Sequence, residues 1–170
     1  MKIKIALVTI FFTGSIFGNM GHCKSLTINQ EKMNKQELEE YLKRAKIGPD
    51  KIPIGKRTEA YVVNLDDGRI KRRGVFKLTD RTRPNDPLPD SYKYGIAAYE
   101  LDKLLDLNIV PPAVEREMSG RKGSLTIYIE GALKESDRRR KKIEPPDPQA
   151  FENALEETKI FEYLAYSFSL

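Results

Sequence analysis

Two short stretches carry residue types suited to holding an anion. In "GVFKL", Lys77 follows Val75 and Phe76 in a strand-like run and points to the face opposite Phe76. A lysine on a half-buried strand is costly unless its ammonium reaches water or a partner. Two readings stand: an edge-strand lysine extending to solvent, or one reserved for a phosphate. In "IGKRTEA", Gly55 and Lys56 form a turn between two strand-like runs. Phosphate-cradling loops use glycine so that backbone N–H groups can approach the anion; this turn has one. The chemistry shared by the two pieces is nucleotide phosphate binding. Phosphoryl transfer would further need metal ions and a carboxylate that positions the attacking hydroxyl.

Composition narrows the remaining chemistry. The 170 residues are 39% hydrophobic and 32% charged with a net charge of +5, which suits one soluble domain. Residues 1–23 stand apart: Lys2 and Lys4, the apolar run "IALVTIFF", then "TGSIFGNMGHC". That layout predicts a secretory signal peptide, cut after Gly21 or Cys23, and export to a bacterial periplasm or beyond. The alternative is an uncleaved start on a cytoplasmic protein. The apolar run is short of the ~20 residues of a membrane span, so no integral span is expected after signal removal. His22 stands where a lipoprotein signal has a small residue before its cysteine. His22 and Cys23 are the only histidine and cysteine, and both lie beside the cut. A mature chain without them has no disulfide, Cys/His zinc site, histidine base or thiol nucleophile. Losing Lys2 and Lys4 lowers the net charge by two, and no basic patch is interleaved with aromatics. Nucleic acid is therefore not expected as a partner.

The elements that must position these residues follow from periodicity. Residues 24–50 form an N-terminal helical segment, with a helix over 34–46 in which Asn34 and Glu37 have capping-box spacing. "IGPDKIP" breaks it. Residues 51–134 hold three strands, a helix over 91–106 and two more strands. Asp67-Gly68 marks a tight turn between the second and third strands. "RTRPNDPLPD" reads as a loop. The 91–106 helix is expected to bury Ile96, Ala97, Leu101, Leu104 and Leu105, with Ala98 at the edge and Lys93, Asp102 and Lys103 turned away. Residues 135–170 comprise a charged linker and a C-terminal helix from Pro148 to Tyr166, capped by Asp147.

"VFKLTD", then "YKYGIAAYELDKLLDLNIVPPAVER", then "GRKGSLTIYIEG" together resemble the small lobe of an atypical kinase superfamily. Its members include bacterial phosphatidylinositol 3/4-kinase-like and HipA-like proteins and the secretory-pathway kinases of animals. The resemblance spans residues 37–166. It implies an α+β fold, a small antiparallel sheet with packed helices, in the manner of a protein-kinase small lobe. It also implies that Lys77 is the phosphate-pairing lysine of the third strand and that Gly55 and Lys56 lie in the loop over the phosphates. Backbone groups of Glu130 and Ala132 would be the hinge that meets adenine, with ATP as a weak or vestigial cofactor.

The sequence departs from that pattern in places. Gly95 stands where such lobes carry the glutamate that pairs with the strand lysine, leaving Glu100 as a candidate substitute. The last helix leads into "SFSL", where the family has its catalytic loop, and no Asp, Asn or Glu lies beyond Glu162. No catalytic residue and no metal ligand is therefore assigned. The expectation is a truncated, catalytically inactive small lobe, its last helix leading to an absent large lobe. One alternative is an exported pseudokinase-type module, with a protein partner on its C-terminal helix. Another is an exported adaptor using "DRRRKK" on anionic partners.

Overall fold

The computed structural model describes residues 33–54, 58–81 and 90–165. The expected leader, Gly55 and Lys56 lie outside the described residues. Helix α1 (Lys35–Arg44) starts as its sequence dictates. The Glu37 N–H donates to Asn34 Oδ1 at 2.8 Å and the Asn34 N–H to Glu37 Oε2 at 2.7 Å, a capping box that satisfies two orphan donors. Strand β1 (Lys46–Pro53) follows at once and absorbs the whole of "IGPDKIP", which the prolines marked only as a break. It is an edge strand whose register slips between Ile47 and Lys51. Prolines are tolerated there because an edge strand leaves one side of its ladder unused.

Strands β2 (Ala60–Asp66) and β3 (Lys71–Lys77) form a hairpin. Its turn is built by Asp67, whose Oδ1 accepts from the N–H groups of Arg69 and Ile70 at 3.0 and 2.8 Å. Those bonds, with Arg44 beside them, hold the Asp67 carboxyl down at about 2. Gly68 takes φ +87°, open to glycine and strained for other residues. Two residues separate the end of β3 from β4 (Asp80–Arg81), which pairs with β5 (Asp90–Ser91) as a small separate ladder, so both ends of the expected proline-rich loop are anchored.

Helix α2 (Tyr92–Leu105) then carries the chain across to the hairpin of β6 (Ala113–Met118) and β7 (Arg121–Ile127). Strand β7 inserts beside β3, giving a five-stranded antiparallel sheet of order β1-β2-β3-β7-β6. The fold is thus α+β. Helices α3 (Glu135–Arg140) and α4 (Pro148–Leu164) follow, α4 capped by Asp147 as its sequence predicts. No helix among the described residues is long and apolar enough to cross a membrane.

One face of the sheet carries the main core. Tyr41, Leu42 and Ala45 from α1 pack on Val63, Leu65, Phe76, Leu78, Val114 and Leu125. Between strands, Gly123 is demanded by packing: a β-carbon there would collide with the Lys77 carbonyl oxygen and Phe76 Cε1. Arg116 of β6 closes the open end of α1 by donating to the carbonyls of Leu42 and Ala45.

Helix α2 corrects the expected stripe. Its buried residues are Tyr92, Tyr99 and Asp102, whereas Leu104 is 81% exposed and Leu105 39%. Ala97 is exposed as well. Tyr99 donates to Glu39 of α1 at 2.6 Å, and Lys35 of α1 pairs with Asp102. Polar links between the helices, rather than the aliphatic count, set the rotation of α2.

Candidate functional site

The opposite face of the sheet carries Lys77. Side chains alternate along a strand, so Lys77 shares a face with Val75 and Arg73 of β3. Register brings Ala60 opposite Lys77, Val62 opposite Val75, Ser124 opposite Lys77 and Glu115 opposite Ser124. Two zones result. Ile54, Ala60 and Val62 are buried, with Val75 and Tyr128 packed against them. Beside this apolar patch runs the polar row Lys77, Ser124, Glu115.

Lys77 ends β3 and is 4% exposed. It does not extend to water: its Nζ pairs with Asp90 of β5. Burial pulls its pKa down, and the Asp90 carboxylate opposes that pull. Asp90 is held by several contacts. It pairs in register with Arg81, and the next residue, Ser91, donates from Oγ to Asp80 Oδ1 at 2.8 Å. The Tyr92 N–H donates to the Thr79 carbonyl at 2.7 Å. Ser91 also caps α2, so the carboxylate is set by a helix start and a two-residue ladder together.

The far end of the row is charged too. Glu115 accepts from Tyr92 Oη at 3.2 Å and from Lys122 Nζ at 3.0 Å, and Lys122 in particular holds its carboxyl below the ordinary range. At the other margin, Arg73 stacks on the Tyr128 ring with 4.4 Å to the centroid and makes a two-point pair with Glu130. The chain then turns at Ile129–Ala132, Gly131 taking φ +71°. The Ala132 N–H is engaged by the Ile129 carbonyl at 3.3 Å.

The structure therefore brings Lys77, Tyr128 and the 129–132 turn to one face. Glu100 is not on Lys77; it forms an ion pair with Lys103 on the exposed side of α2. The space beside Gly95 is open. Sequence reasoning missed Asp90, whose position inside a proline-rich run hid it. Its signal was adjacency to Ser91, the N-cap that fixes where the helix begins.

Two other features gather charge on the surface. A hollow of about 560 Å³ lies between the start of α1 and the β2–β3 turn, lined by Glu37, Glu40, Arg44 and Arg69 among others. It is remote from Lys77 and its charges are mixed. In "DRRRKK", Arg138 and Arg139 pair with Glu135, and Arg140 with Asp137, which spends much of the run's charge within α3. No metal-holding group of three or more His, Cys, Asp or Glu is found among the described residues.

No family model, no curated protein and no solved structure matches this chain.

Proposed function

We propose that the chain is a small-lobe-type nucleotide-binding module of the atypical kinase kind, binding without turnover through the Lys77 face of its sheet. The supporting observation is the pairing of an apolar patch, Ile54, Ala60, Val62, Val75 and Tyr128, with a nearly buried lysine in register beside it. A nucleobase is a flat apolar ring with a polar edge, and its phosphates need a fixed cation nearby. The order of elements supports the same reading: three antiparallel strands, a helix, then two strands, the last inserted beside the third. Lys77 lies on that third strand, and the 129–132 turn follows the last one. Binding at the turn falls to the backbone carbonyls and the Glu130 N–H, since the Ala132 N–H has a partner. Export by the N-terminal leader remains part of the proposal, as does ATP as the nucleotide.

Calorimetric titration of the purified chain tests this. Adenosine and ATP should compete for one site. Lys77→Met should weaken ATP, because the cation nearest the phosphates is lost, and leave adenosine within about twofold. Absence of saturable binding by both ligands sinks the proposal.

A further inference from the structure

We infer that Asp90 is a carboxylate gate on the phosphate subsite, so that this face takes a neutral nucleoside in preference to its polyphosphate until Asp90 is displaced. The inference rests on the nucleotide-site reading above and adds which ligand class the site selects. Exposure of the two partners carries it. The Lys77 side chain is 5% exposed, while that of Asp90 is 24% exposed. A ligand arriving from solvent thus meets the anion and not the cation. The carboxylate occupies one of the hydrogen-bond positions a phosphate oxygen would take on Lys77, and adds like-charge repulsion in a poorly solvated place.

The gate is built into the fold. Asp90 sits in the two-residue strand β5, clamped to β4 through Asp80↔Ser91 and Arg81↔Asp90. Lys93 reinforces the clamp through its ion pair with Asp80 at 3.3 Å. Opening requires this small ladder to part or α2 to shift at its start, while the five-stranded sheet can stay unchanged. A neutral base carries no charge for Asp90 to repel.

Calorimetry on the intact chain decides the matter with two ligands and one substitution. In the unaltered protein, adenosine should bind at least as tightly as ATP. Asp90→Asn keeps the side-chain shape and removes the charge. It should strengthen ATP about tenfold or more while adenosine stays within about twofold. Lys77→Met added to Asp90→Asn should abolish that gain. If ATP binds the unaltered protein more tightly than adenosine, or Asp90→Asn weakens ATP or leaves it unchanged, the gate is overturned and the nucleotide site stands. If neither ligand binds either protein, the site reading itself fails and the gate with it. The comparison within the unaltered protein needs no variant, so a poorly folding Asp90→Asn does not rescue the inference.

Discussion

At the residue scale, two carboxylates do different jobs. Asp90 faces a cation at the edge of the sheet, whereas Asp102 is wholly structural. Asp102 is 0% exposed; its Oδ1 accepts from the N–H groups of Ile109 and Val110 at 2.9 and 3.0 Å, and its Oδ2 pairs with Lys35. One side chain thus ties α1, α2 and the loop into β6. Asp102→Ala leaves two partly buried N–H donors and a partly buried ammonium without their acceptor. The expected loss is about 3 kcal/mol in urea denaturation, in the range for breaking a buried pair. Asp102→Asn keeps an acceptor oxygen and should cost about half as much. Equal stability of Asp102→Ala and the parent would contradict this assignment. Sequence gave no sign of the role, because an aspartate in a helix turn reads as surface until its acceptor geometry seven and eight residues onward is known. Lys77 was more legible: its strand, its face and its need for a partner follow from alternation. The partner's identity did not, because Asp90 comes close through a ladder that no local pattern encodes.

At the scale of elements, local rules worked where the determinant was local. Asn34 with Glu37, Asp67-Gly68 and Asp147-Pro148 each specify a helix start or turn by hydrogen bonds within four residues. Helix α2 shows the limit. Its aliphatic residues define a stripe of which Ala97, Leu104 and Leu105 face outward and Ile96 and Leu101 are only half-buried, and its rotation is set by Tyr99 on Glu39 and Lys35 on Asp102, across 60 and 67 residues of chain. Edge strand β1 shows another limit, since prolines that argue against a central strand are compatible with an edge. The rotation of α2 yields a direct test. Leu104→Lys should change stability by less than about 0.5 kcal/mol, as for exposed positions. Tyr99→Ala should cost about 3 kcal/mol through lost packing and its bond to Glu39. Thermal denaturation of both variants distinguishes the faces, and the reverse ranking would restore the aliphatic stripe as the buried one.

At the scale of the whole molecule, the sheet divides labour between its faces. The α1 side holds the main core, closed by Arg116 and Tyr41, and the other side holds the smaller apolar cluster and the Lys77 row. The architecture was readable as three strands, a helix and two strands. The insertion of β7 between β3 and β6 was not, because strand order depends on long-range pairing. That insertion is what places Ser124 and Glu115 in line with Lys77. The central claim, that the Lys77 face and not the α1 face binds a nucleoside, is tested most directly by amide NMR of the labelled chain titrated with adenosine. Saturable shifts should gather on Val62, Val75, Lys77, Tyr128 and the 129–132 turn, with α1 and the β2–β3 turn unmoved. Shifts centred on the hollow beside Glu37 and Arg69, or none that saturate, would contradict it.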